Sequence, residues 1–261
     1  MVVLKIAFKY VKTFMRSFIL IPMLVGLPIF QIFIMRRVSN TIAEQTTAVP
    51  SSGAVDLILL SNPQNVSFAS LIAASTLVQF LLITGTVAAS QFISEREENT
   101  LMRVLAAPVG KWSVILGNLL GQCLVILLVA VAIMLISGVF FGIEWGNSYF
   151  NLLVVTLLIL FVSTSLGFVL SGIFKKANLA TGVMTFIILI MTFLSGGFTL
   201  DESFDKASYF TINKWAFTAY NELQAGKSLG DIRENLMVMA LLGTALLVSA
   251  ILLYRRENIY E

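Results

Sequence analysis

The sequence predicts an all-α integral membrane protein with six transmembrane helices. Three observations lead there. Of its 261 residues, 58% are hydrophobic and 12% charged, against about 25% charged in soluble domains, and the mean hydropathy is +0.93. Long stretches, Leu57 to Ser94 and Trp112 to Ile143 among them, hold no Asp, Glu, Lys or Arg. At about 20 residues per crossing, the length accommodates six spans and short loops. With no fixed-period repeat and no strong inverted symmetry, a single membrane domain over 1–261 is the economical reading.

Taken in order, Leu4, Ala7, Phe8, Val11, Phe14, Met15 and Phe18 recur at three-to-four spacing, and Lys5, Lys9, Lys12 and Arg16 form a second stripe. This predicts an amphipathic interfacial helix over 1–16, its cationic face in the headgroup layer. It serves as an orientation signal alone or also touches a partner subunit; the residues leave both open. Span one is Ser17 to Met35, kinked by Pro22 and Pro28 and closed by Arg36-Arg37, and 38–66 reads as an irregular loop. That first apolar run has no Ala-x-Ala-like site, so no cleavable signal peptide is expected. Spans two to five lie within Phe68 to Ile93, Trp112 to Phe141, Tyr149 to Phe174 and Asn178 to Phe198, and the sixth runs from about Leu236 to Tyr254. Between five and six, the segment 199–235 carries Phe204, Tyr209, Phe210, Trp215, Phe217 and Tyr220. This density of aromatics suits short extracellular helices that partly re-enter the bilayer. Gly167, Gly172 and Gly182 are expected to permit close helix approach.

Lys and Arg placement gives the orientation. With the N-terminus inside, eleven of the seventeen cations fall on the inner side, which favours both termini in the cytoplasm; Arg36-Arg37 runs against the bias. The cations sit at the ends of apolar runs, a membrane pattern rather than one for nucleic acid. The absence of His and the single Cys123 exclude His-based catalysis, His metal sites and an intrachain disulfide. The spans carry no Asp, Glu, Lys, Arg or His, and their polar residues include Gln79, Gln91, Asn118, Gln122, Asn178 and hydroxyls. This argues against gradient coupling through intramembrane carboxylates and against an intramembrane enzyme. Nor is there a Gly-x-x-x-x-Gly-Lys-Ser/Thr phosphate loop. No metal or cofactor is expected on this chain, and any uphill movement must draw its energy from another subunit.

One polar segment interrupts the apolar body, at 94–111. It reads Ser94-Glu95-Arg96-Glu97-Glu98-Asn99-Thr100-Leu101 and continues through Arg103, Leu105 and Pro108. A charge at the bilayer centre costs roughly 2.5–3.5 kcal/mol even on lenient scales, so this segment lies in water or at a protein contact. Thr100 to Pro108 is predicted to form a short surface helix, with Leu101, Val104 and Leu105 on one face and Pro108 ending it. Glu95, Glu97 and Glu98 are placed in the preceding turn, where negative charge favours a helix N-terminus. A transmission element and a solvated loop both fit these residues.

The stretch Phe92 to Leu101, with Leu105-Ala106-Ala107-Pro108-Val109 and the Lys111 to Gly121 start of the next span, resembles the type-2 permease family of ATP-binding-cassette (ABC) exporters. A second point of likeness is Lys175-Lys176-Ala177-Asn178-Leu179-Ala180, followed by an apolar run ending Leu194-Ser195-Gly196-Gly197-Phe198. Asn99 departs from the pattern, standing where the family often has Gly. The resemblance covers nearly the whole chain in span count, order and loop lengths. It implies a transport subunit rather than an enzyme, in a bacterial plasma membrane, paired with a second copy or a paralogue. Cytoplasmic ABC ATPase chains would hold ATP and Mg; membrane lipids are partners and nucleic acid is not. It further implies a cytoplasmic coupling helix between spans two and three, with Glu95, Arg96, Glu97, Glu98, Thr100, Leu101, Arg103, Leu105 and Pro108 facing the ATPase alongside the helix of Lys5, Lys9, Lys12 and Arg16. The substrate path would lie between the two copies along spans two and five. Candidates there are Gln79, Phe80, Thr84, Met184, Ile187, Ile188, Met191, Thr192 and Phe198, with helix packing or lipid contact as the competing reading. Met and Phe suit varied apolar ligands, so the expected cargo is a drug, peptide antibiotic or lipid. A lipid-linked polysaccharide exporter and a non-transporting anchor or sensor are the alternatives.

Overall fold

The computed structural model describes residues 2–17, 20–48, 68–98, 100, 110–146, 148–196 and 205–256. Among them the regular structure is helical throughout. Helix α1 is Val2–Arg16; a π-helical turn, Pro22–Gly26, leads into α2, Leu27–Ala48; α3 is Phe68–Glu97 and α4 is Lys111–Phe141. Then follow α5, Tyr149–Ile173, α6, Ala177–Leu194, the short α7, Asp205–Ser208, α8, Ile212–Gln224, and α9, Arg233–Arg256. Five of these, α3, α4, α5, α6 and α9, are long and apolar enough to cross a membrane.

The expected first span differs from the expectation in two ways. Its apolar part is divided by the π turn that begins at Pro22: proline removes one backbone donor and crowds the preceding turn, and a wider turn relieves both. The helix also continues past Arg37 to Ala48, into what reads as irregular loop. Thr41 follows a common helical pattern there, its hydroxyl donating to the Arg37 carbonyl at 3.0 Å. Residues 49–67 lie outside the described residues.

Helix α3 is the centre of the molecule. In its membrane window 89% is buried, against 22% for α6 and 17% for α9. It packs against α2, α4, α5, α6 and α8, while α5 also carries α9, and α4 carries α1. Apolar burial contributes little inside a bilayer, because lipid tails are as apolar as leucine; close packing and interhelical hydrogen bonds do more. Small residues mark the crossings accordingly. A Cβ on Gly167 would sit 3.0 Å from the Ala89 side chain and from the Gly85 carbonyl, and the Ser163 hydroxyl donates to the Leu81 carbonyl at 2.8 Å. Gly243 lets α9 approach the Phe161 ring on α5, and a Cβ on Gly172 would meet Leu253 at 3.2 Å. Gly182 does not join this group: among the described residues nothing lies within 4 Å of where its Cβ would be.

The seat of α1 is made the same way. Gly117 and Gly121 of α4 would each bring a Cβ within 2.7 Å of α1, against Ile6 and Tyr10. Ala7, Tyr10 and Phe14 are buried. The single apolar stripe expected for this helix is therefore split in two, because Leu4, Phe8 and Met15 stay exposed. Phe18 lies outside the described residues.

At the end of the bundle opposite α1, Arg36 donates to the Phe141 carbonyl at 2.9 Å, and the Trp145 indole donates to Ser137 at 3.1 Å. Helix α8, within the expected 199–235 segment, inserts among α3, α5, α6 and α9. Its Tyr220 is fully buried and shares a hydrogen bond with Thr156 at 3.0 Å, and Asn213 donates to Thr192 at 2.6 Å. Residues 197–204 lie outside the described residues.

Two substitutions test this packing. Gly121→Leu should lower the stability of the detergent-solubilised protein by about 1–3 kcal/mol, the usual cost of overpacking. Gly182→Ala should stay within about 0.5 kcal/mol of the parent. Thermal unfolding reads both, and equal effects would contradict the assigned seat of α1. Tyr220→Phe should cost about 0.6 kcal/mol, the average for an interhelical hydrogen bond in a membrane bundle, on the same assay.

Candidate functional site

The acidic motif sits where the most buried helix leaves the apolar body. Glu95, Arg96 and Glu97 form the last turn of α3, with Glu98 just beyond, and the backbone is helical again at Thr100. Residues 101–109, including Leu101, Arg103, Leu105 and Pro108, lie outside the described residues. Carboxylates at a helix C-terminus oppose the dipole of their own helix, and neighbouring elements compensate. Lys9 of α1 pairs with Glu95 at 3.3 Å. Glu97 accepts from the backbone N–H of Ala177 at 3.3 Å, the first residue of α6, where the dipole favours an anion. Arg96 donates to the carbonyl of Phe174 at 3.1 Å, the residue that caps the C-terminus of α5, where a cation is favoured. The Thr100 hydroxyl donates to the Glu95 carbonyl at 3.0 Å, satisfying one of the carbonyls that α3 leaves open.

Three consecutive side chains thus reach three elements: α1, the end of α5 and the start of α6. The contacts are individually weak. Lys9 and Glu95 keep 59% and 29% of their side-chain surface exposed, and exposed pairs contribute roughly 0–1 kcal/mol. The firmer tie is Tyr10, buried on α1, whose hydroxyl donates to the Ala88 carbonyl of α3. Burial, then the charge of Glu95, push the Tyr10 phenol well above its ordinary range, so it remains a donor at any physiological pH. Tyr10 and the glycine seats fix position, and the charged residues set register.

The other cations of α1, Lys5, Lys12 and Arg16, are exposed and have no carboxylate partner among the described residues. Of the candidate path residues, Gln79, Phe80, Thr84, Met184, Ile188 and Thr192 are buried within the chain, and Ile187 is exposed, with Met191 half-buried; Phe198 lies outside the described residues. Thr84 and Thr192 donate to carbonyls four residues back in their own helices, so their hydroxyls are accounted for by the helix. Phe80 borders an open groove of about 350 Å³ against α2, with Phe30, Gln31 and Met35 on its other wall. Gln79 stands out, because its side-chain carbonyl is buried without a hydrogen bond among the described residues, as are the hydroxyls of Ser75 and Thr76. These three share one face of α3. Among the described residues no group of His, Cys, Asp and Glu is arranged to hold a metal.

Sequence reasoning singled out Lys9 and Glu95 without pairing them, and missed Tyr10, Gly117 and Gly121. The glycines had a signal, the small-x-x-x-small spacing of Gly117-Asn118-Leu119-Leu120-Gly121. Tyr10 had none, since its partner is a backbone carbonyl 78 residues away.

Compared with known proteins, residues 9–252 match the family model described as "ABC-2 family transporter protein". No curated protein matches the chain.

A double-mutant cycle with Lys9→Ala and Glu95→Ala should return a coupling of about 0.2–1 kcal/mol in thermal unfolding at low salt, fading toward 1 M salt. No coupling at low salt would mean the two groups do not meet.

Proposed function

Because this chain belongs to the ABC-2 family of transporter proteins, we propose that it is the permease subunit of an ATP-driven exporter. It works as a dimer with a second copy or a paralogue and is driven by cytoplasmic ABC ATPase chains that hold ATP and Mg. The observation that carries this reading is the charged end of α3. A load applied there passes at once to α1 through Lys9, to α5 through Arg96 and to α6 through Glu97. Leu101, Arg103, Leu105 and Pro108 are proposed to face the ATPase as well, as the sequence resemblance implies. The absence of a phosphate loop from the sequence puts the power stroke on the partner.

In this reading the Glu95 end is cytoplasmic in a bacterial plasma membrane, as the Lys and Arg bias favours, and both termini share it. The expected first span, within Ser17 to Met35, brings the crossings to six. The supporting geometry is that Lys9 meets the inner end of α3 while Arg36 reaches Phe141 at the far end of α4, so the chain climbs the bundle between them. The second copy packs on α6, whose exposed Leu179, Val183, Phe186, Ile190 and Phe193 follow one another at spacings of four and three, the stripe of a helix seam. Ile187 and Met191 border that seam, and the unpaired polar face of Ser75, Thr76 and Gln79 becomes part of the path when α3 and α6 part. A hydrophobic or amphipathic cargo suits such walls.

The test is ATP-driven uptake of an apolar fluorescent cargo into inside-out vesicles holding the permease and its ATPase. Glu95→Ala with Glu97→Ala should reduce uptake at least tenfold while the ATPase still binds nucleotide. Uptake at the parent rate would contradict the coupling role. ATP hydrolysis by the parent complex with no cargo movement would favour an anchor.

A further inference from the structure

Helix α1 turns three faces to its surroundings: the buried seat on α4, the side from which Lys9 reaches Glu95, and a third that the proposed function does not use. The third is apolar and open, with Leu4 and Phe8 69% and 70% exposed. It does not stand alone, because together with α4 it forms a groove of about 580 Å³. Leu4, Phe8 and Val11 line one wall, Leu124 and Leu128 the other, and Lys5 is the one charged residue at its edge. Leu124 lies eight residues into the membrane span that starts at Leu116, about 12 Å along the helix axis. The Leu124 wall of the groove therefore belongs to the apolar body of a candidate membrane span. A lysine on such a wall lays its methylenes along the apolar surface and lifts its ammonium toward the headgroups. Lys9 is engaged by Glu95, whereas Lys5 has no carboxylate partner among the described residues. An apolar slot with an unneutralised ammonium at its rim complements a chain with a phosphate at its end. A helix, about 10–12 Å across with its side chains, is a poor fit for the same volume.

We infer that the groove between α1 and α4 binds an anionic phospholipid of the adjoining leaflet. Its acyl chain lies against Leu124 and Leu128, and its phosphate meets Lys5. The lipid thereby wedges the helix that carries Lys9 and Tyr10, and the composition of the leaflet bears on how firmly α1 is seated. This site is independent of the direction of transport and of the cargo.

The test uses the full chain in nanodiscs containing phosphatidylglycerol or phosphatidylcholine with a photoactivatable group in the acyl chain, and maps the labelled peptides by mass spectrometry. Labelling is expected in peptides holding residues 4–11 and 124–128, with phosphatidylglycerol favoured about fivefold, the effect of one interfacial cation. Lys5→Ala should bring the two lipids close to parity. Leu124→Trp, which fills the groove, should reduce labelling by both, whereas Leu135→Trp, on an exposed part of α4 outside the groove, should leave it unchanged. Equal labelling by the two lipids in the parent would overturn the inference, as would labelling indifferent to Leu124→Trp. Absence of labelling accompanied by an α1-to-α1 cross-link would assign the groove to a second copy, and displacement of the lipid by an apolar cargo would assign it to the transport path. Either result would overturn the site proposed.

Discussion

Four charged residues in a row, Glu95 to Glu98, at the end of the most buried helix set the terms for the rest of the structure. Charges of that density do not remain in hydrocarbon, so the end of α3 is held at a polar surface. Carboxylates in the last turn of a helix also work against its dipole, and compensation has to come from elsewhere. It comes from Lys9 on α1 and from the N-terminus of α6, while Arg96 is spent on the C-terminus of α5. A local electrostatic problem is thus answered by long-range contacts, and these make one end of the bundle a junction.

The magnitudes show how the junction is divided between stiffness and communication. Exposed ion pairs of the Lys9–Glu95 kind contribute too little to hold a helix in place. The backbone approach at Gly117 and Gly121, and the Tyr10 hydrogen bond to Ala88, hold α1 by contacts that salt does not screen. Weak charged contacts on a firmly packed frame can change partners without dismantling it, which is what the proposed coupling role requires.

Much of this was legible in the sequence, and the limits have physical causes. Charge-free runs bounded by charged residues located α3, α4, α5, α6 and α9, because the cost of burying charge is a one-dimensional signal. The acidic motif and the cationic stripe of α1 were visible for the same reason. The extension of α2 to Ala48 was not, since Ser39, Asn40 and Thr41 read as loop residues when only propensity is weighed. The division of α1 into two apolar faces was equally hidden, because periodicity shows that a face is apolar but not whether a glycine pair or lipid lies opposite. The same holds for Gln79: polarity marked it, and only the packing showed that its carbonyl is buried without a partner among the described residues.

The central claim is that the Glu95–Glu98 junction faces the compartment that supplies ATP. It is tested most directly with Glu97→Cys in a Cys123→Ser background, labelled with a membrane-impermeant maleimide in intact cells and in inside-out vesicles. Labelling confined to inside-out vesicles is the predicted result. Labelling of Glu97→Cys from outside intact cells would place the junction on the wrong side of the membrane and contradict the account.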